Sequence, residues 1–104
     1  MQGLNYEKFK ELQKEENFEL IDIREKYESD CINIGGLHIP MGELEENLEV
    51  FSQDKAFVFL CQSGKRAKVV ANYLKNEHKI ENCYYIEGGL ENLANFENID
   101  LSRC

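Results

Sequence analysis

The stretch that most constrains the fold is Lys55 to Cys61 (KAFVFLC), an almost unbroken apolar run with β-branched and aromatic side chains. A strand wetted on one face alternates apolar and polar residues. A continuous run instead needs cover on both faces, as in a parallel sheet held between helices. The flanking segments supply that cover. Asn5 is placed to cap a first helix whose Tyr6, Phe9 and Leu12 share a face, and Leu44, Leu48 and Phe51 mark a second amphipathic helix. Arg66 to Glu77 forms another, with Val70, Tyr73 and Leu74 on one side.

Strands fall between these helices. Phe18 to Ile23 (FELIDI) and Cys83 to Ile86 (CYYI) read as strands, and Leu37 to Pro40 (LHIP) as a brief edge strand ended by proline. Glu25 to Asp30 is charged and reads as a helical turn or loop, while Gly88-Gly89 turns the chain into a short helix around Leu90, Leu93 and Phe96. The order α-β-(β)-α-β-α-β-α, with connections too long for hairpins, predicts an α/β protein with a mostly parallel central sheet flanked by helices on both faces. At 104 residues it is expected to form one domain, spanning 1–104.

Charge and cysteine usage exclude several function classes. With 20 acidic and 12 basic residues the net charge is −8, which repels phosphate backbones and argues against nucleic acid as a partner. No apolar run approaches the roughly 20 residues of a bilayer-spanning helix, so no membrane role is expected. The first residues, MQGLNYEKFKELQKEE, lack the apolar region of a secretory signal, and a cytoplasmic location is expected. Cys31, Cys61, Cys83 and Cys104 form no CxxC pair, and the histidines are only His38 and His78, so no metal site is expected. The thiols should stay reduced, with Cys31, Cys83 and Cys104 acting as small hydrophobes or a tail thiol. His38 reads as a half-buried structural residue, His78 as solvated, and Glu43, Glu45, Glu46 and Glu49 as the wet face of a helix.

Cys61 stands apart. It ends the most buried strand pattern and precedes Gln62-Ser63-Gly64-Lys65-Arg66 and a helix. In an open parallel sheet, reactive groups gather beyond the carboxyl ends of the strands. A strand-to-helix loop of this length can curl so that successive N–H groups point inward, and Gly64 permits the left-handed dihedral such a curl needs. The curl would lie at the positive end of the following helix, where an anionic sulfur is favoured. Lys65, Arg66 and Lys68 place three positive charges and no acid within 61–68, a cationic mouth on an anionic body.

The motif CQSGKR at 61–66 resembles the Cys-x-x-Gly-x-Arg signature of single-domain rhodaneses, a family of sulfurtransferases. Upstream, LIDIRE at 20–25 is similar to that family's strand-ending Asp-x-Arg-Glu segment, and YIEGGLENL at 85–93 resembles the Gly-Gly turn leading into its last helix. The stretch Asp30-Cys31-Ile32-Asn33-Ile34-Gly35-Gly36 departs from the family's Gly-His-Ile and Pro-Gly-Ala pattern and is similar to rhodanese modules of sulfur-carrier pathways. Leu93 stands where tryptophan is frequent.

The resemblance implies a rhodanese-like three-layer fold and a sulfurtransferase in which Cys61 takes the sulfane sulfur of a donor such as thiosulfate or a protein persulfide. The resulting persulfide passes that sulfur to cyanide or a thiol in a two-step cycle. Gln62, Ser63, Gly64, Lys65 and Arg66 would bind the substrate: the N–H groups stabilise the persulfide, Ser63 donates a hydroxyl, Lys65 steers the anion, and Arg66 braces the loop or meets the donor. Asp22 and Arg24 would support them from behind, Asp22 orienting a cationic side chain of the loop. No cofactor is implied, because the sulfur travels on Cys61 itself. Three rivals remain open: a non-catalytic binding module of the same fold; a Cys-loop phosphatase or arsenate reductase, whose loops place five residues rather than the four of Gln62 to Lys65 between cysteine and arginine; and a sulfur carrier that reacts only with protein persulfides and handles thiosulfate poorly.

Overall fold

The computed structural model describes residues 2–15 and 17–103. Five strands, β1 (Gly3–Leu4), β2 (Phe18–Asp22), β3 (Leu37–His38), β4 (Ala56–Leu60) and β5 (Cys83–Ile86), form one sheet in the order β1-β5-β4-β2-β3. Every pairing is parallel; β4 lies between β2, with Phe18 opposite Ala56, and β5, with Phe57 opposite Cys83. The central position of β4 is why its sequence reads as apolar on both faces.

Alternation along β4 divides the core in two. Phe57, Phe59 and Cys61 point into one cluster with Ile21, Val70 and Leu74, and Val58 and Leu60 point into another with Phe9, Ile86 and Leu90. The first is covered by helix α3 (Lys65–His78) and by a 3-10 segment, Met41–Ser52, where Phe51 meets the Phe57 ring edge-on. The second is covered by α1 (Tyr6–Gln13) and α4 (Gly89–Leu93). Asn5 caps α1 as expected, accepting from the Lys8 N–H. Helix α2 (Lys26–Cys31) occupies the charged segment and begins with a capping box between Glu25 and Glu28. No helix among the described residues is long and apolar enough to cross a membrane.

Three details differ from the sequence expectations. The two-residue strand β1 is unanticipated; its pairing along β5 supplies hydrogen bonds that so short a segment cannot announce through periodicity. The Met41–Ser52 segment is 3-10 rather than α-helical, with Asn47 leaving helical geometry at φ −124°, so apolar spacing there marks a buried face rather than a regular helix. Helix α3 starts one residue earlier than expected, at Lys65.

Candidate functional site

Parallel pairing brings the ends of β2, β3, β4 and β5 to one edge of the sheet, and Cys61 is the first residue beyond β4 there. It is fully buried, at 0% exposure. Two backbone groups address its sulfur: the Gly64 N–H donates to Sγ at 3.1 Å and the Ala67 N–H at 3.4 Å. These contacts require the chain to fold back within three residues, and Gly64 does so at φ 93°, immediately before α3. The inward N–H groups expected of Gln62 to Arg66 are thus carried by Gly64 and by Ala67, the latter unexpected because alanine carries no side-chain signal.

The loop is shaped from behind by the Gly88-Gly89 turn. Leu90 N–H donates to the Cys61 carbonyl at 2.9 Å and Glu91 N–H to the Gln62 carbonyl at 3.0 Å. Both carbonyls are thereby engaged by the start of α4, away from the sulfur. A Cβ on Gly89 would lie 2.4 Å from the Cys61 carbonyl oxygen and 2.7 Å from the Gly64 nitrogen, so only glycine allows this approach. Reading the glycine pair as a turn identified its conformation but not its contact with the loop.

Arg66 does not point at an open mouth. Its Nη1 and Nη2 donate to Oε1 and Oε2 of Glu28 on α2, both at 2.9 Å, in the two-pronged geometry that guanidinium and carboxylate favour. The Arg66 hydrogen bonds hold the Glu28 carboxyl below the usual glutamate range, and Glu28 raises the Arg66 guanidinium in turn. Glu28 was missed in the sequence, where it is one acid among several in a charged segment.

Asp22 and Arg24 pair with each other. Arg24 Nε donates to Asp22 Oδ1 at 2.9 Å and Nη2 to Oδ2 at 2.8 Å, with both residues only 1% exposed. The expectation that Asp22 would orient a cation of the loop is corrected here: its partner is Arg24, two residues along the same strand end, because strand pairing leaves both side chains buried together. Arg24 continues to the carbonyls of Glu28 and Ile32, fixing α2, and α2 in turn holds Arg66. The pair therefore backs the loop through α2. Nearby His38 is exposed rather than half-buried, and its Nε2 donates to the Arg24 carbonyl at 2.7 Å.

The remaining loop residues are at the surface. Ser63 and Lys65 are exposed, and Gln62 is half-buried at the wall of a cavity of about 480 Å3, shared with Arg24, Tyr27, Glu28, Ile32 and Leu101. Cys83 is buried in the core, where burial pushes its thiol up to about 12. Cys31 is disulfide-bonded, which corrects the expectation of a reduced thiol; separation along the chain does not show which cysteines the fold brings within bonding range. The expectation for Cys104 lies outside the described residues.

The chain is similar in sequence and fold to known proteins. Residues 5–95 match the model of the rhodanese-like domain. The chain is 36% identical over 81 residues to "Putative sulfurtransferase YtwF" of Bacillus subtilis, covering 76% of each. It is 29% identical over 76 residues to "Putative sulfur carrier protein YrkF" of the same organism, covering 71% of this chain and 41% of that one. Among solved structures, the human single-domain sulfurtransferase TSTD1 superposes with a TM-score of 0.77 at 22% identity, covering 93% of this chain and 98% of that one, a likeness of fold.

Proposed function

The chain belongs to the rhodanese-like domain family, and on that premise we propose that it is a sulfurtransferase that carries a sulfane sulfur on Cys61. The observation that carries this reading is the pair of N–H groups, from Gly64 and Ala67, aimed at a buried cysteine sulfur at the carboxyl edge of a parallel sheet.

With thiosulfate as donor, the Cys61 thiolate attacks the outer sulfur, the S–S bond breaks, and sulfite leaves with the bonding electrons. Cys61 is then a persulfide anion. Cyanide or a thiolate attacks the terminal sulfur, takes it as thiocyanate or a new persulfide, and returns the Cys61 thiolate. Charge and atoms balance in both steps, and the cycle needs no external oxidant. Before attack the negative charge sits on Sγ, where the fixed Gly64 and Ala67 N–H donors stabilise the thiolate without reorganising; in the persulfide it moves to the outer sulfur. Gln62, Ser63 and Lys65 line the approach, and Arg66 holds the loop through Glu28. The chemistry needs Cys61 as a free thiol, and among the described residues Cys61 is free.

Thiocyanate formation from thiosulfate and cyanide tests the reading. The wild type should turn over and Cys61→Ser should not, with both folded by circular dichroism; turnover by Cys61→Ser near the wild-type rate would overturn the assignment.

A further inference from the structure

The cysteines among the described residues are in three different chemical states. Cys61 is free, with two N–H groups donating to its sulfur. Cys83 is free but sits in the core with Val70 and Leu74 of α3, where burial pushes its thiol up to about 12 and keeps it out of exchange. Cys31, the last residue of α2, is disulfide-bonded. The thiol it bonds is neither Cys61 nor Cys83, and Cys104 is the one other cysteine of the sequence.

The bonded cysteine shares open space with the loop of the sulfur carrier. Cys31 and Gln62, the residue after Cys61, stand on walls of the same cavity of about 480 Å3, together with Arg24 and Glu28. Cys31 is half-buried there, so its sulfur is open to exchange. Contacts that do not involve the disulfide hold the end of α2 beside the loop. Glu28, three residues before Cys31, clamps Arg66, and Arg24 donates to the carbonyl of Ile32 immediately after it. A sulfur added to Cys61 extends its reach by about 2 Å. A disulfide that is accessible beside a reactive thiol belongs to the labile, exchanging kind rather than the structural kind.

We infer that Cys31 resolves the Cys61 persulfide, taking its outer sulfur and, with Cys104 as the second thiol, releasing that sulfur as sulfide. The inference rests on the sulfurtransferase reading and adds a further activity, reduction of sulfane sulfur by the protein's own pair of thiols. In the first step, Cys31 thiolate attacks the outer sulfur of Cys61–S–SH. The Cys61 S–S bond breaks, Cys61 thiolate departs with the electron pair, and Cys31–S–SH remains. In the second, Cys104 thiolate attacks Sγ of Cys31, closes the disulfide and expels hydrosulfide, which keeps the proton. Two thiols are thereby oxidised to one disulfide as the sulfane sulfur is reduced to sulfide. The disulfide at Cys31 is the product of this cycle. An external dithiol restores both thiols and becomes a disulfide in turn.

The test offers thiosulfate, and separately glutathione persulfide, to the full chain in two states. One is reduced with dithiothreitol and desalted; the other is oxidised at Cys31 with Cys61 free. Released sulfide is measured as methylene blue, sulfur held on the protein by intact mass, and cysteine pairing by peptide mapping. With thiosulfate, the reduced protein should release about one sulfide per chain in a single turnover and end with Cys31 bonded to Cys104. The oxidised protein should hold the added sulfur on Cys61 and release less than about a tenth as much sulfide. Reduced Cys31→Ser and reduced Cys104→Ser should likewise retain a persulfide. Sulfide release from Cys31→Ser or from the oxidised protein at the wild-type rate would overturn the proposal. So would a reduced protein that gains the sulfur and holds it, and either result would leave the sulfurtransferase reading in place. No sulfur gained and no sulfide released by any form with either donor would remove both.

Discussion

Arg66 at the head of α3 and Glu28 on α2 clamp two helices together with parallel hydrogen bonds of 2.9 Å, directly behind the loop that carries Cys61. The clamp is anchored in turn by Arg24, which reaches the carbonyls of Glu28 and Ile32 from a buried pairing with Asp22. The two arginines of the site thus act as struts, and the negative charge on sulfur is left to backbone donors.

The struts separate Arg66 from Lys65. Arg66→Ala should lower turnover by about tenfold to a hundredfold, because the loop loses the brace that keeps Gly64 and Ala67 aimed at the sulfur. Lys65→Ala, at an exposed position, should lower kcat/KM less than about threefold, by an amount that vanishes in high salt. Steady-state rates at two ionic strengths check this; equal and equally salt-sensitive losses would assign both residues to diffuse steering.

The clamp also sets an acid limit. Glu28 has its carboxyl held below the usual glutamate value of 4.5 by Arg66, so its contribution to stability is fully present above that value. It is lost as pH falls through the depressed value in the folded protein. Glu28→Gln should therefore destabilise the protein at pH 7, and the difference from wild type should shrink progressively below pH 4.5. Thermal unfolding of both proteins over that range gives the comparison, and a constant difference down to the acid limit would contradict it.

Asp22 and Arg24 form a fully buried ion pair, and breaking one half of such a pair leaves an uncompensated charge in the core. Asp22→Ala should cost about 3–5 kcal/mol in denaturant unfolding. A surface-like pair would cost less than about 1 kcal/mol, and that smaller loss would show that Arg24 finds water in the variant.

Gly89 tests the shaping of the loop from behind. Gly89→Ala places a methyl group against the Cys61 carbonyl and should reduce sulfur transfer by about tenfold or more. Gly42→Ala, where an added Cβ meets nothing within 4 Å, should leave transfer unchanged. Activity assays on the two folded variants decide it, and equal activities would mean the turn is only a connection.

Legibility in the sequence followed how local each signal was. Ala56–Leu60 announces itself as a strand covered on both faces because its run is almost wholly apolar, and Cys83–Ile86 reads as a strand from its β-branched and aromatic residues. Cys61, Gly64 and Arg66 are legible because one short segment holds the strand end, the left-handed turn and the helix start. Glu28 is not, since its meaning comes from a partner 38 positions away. The approach of Gly89 to the Cys61 carbonyl spans 28 positions and is equally invisible locally, whereas Asp22 read as orienting the loop although Arg24, two positions on along the same strand end, takes both of its carboxylate oxygens. Gly3–Leu4 is too short for any periodicity and exists as a strand only through β5.

The most direct test of the account is an intact-mass spectrum of the protein after incubation with a sulfane-sulfur donor, repeated after cyanide. A gain of one sulfur atom is expected, located on the peptide containing Cys61, abolished in Cys61→Ser and removed by cyanide. A gain that persists in Cys61→Ser, or no gain with thiosulfate and persulfide donors alike, would contradict it.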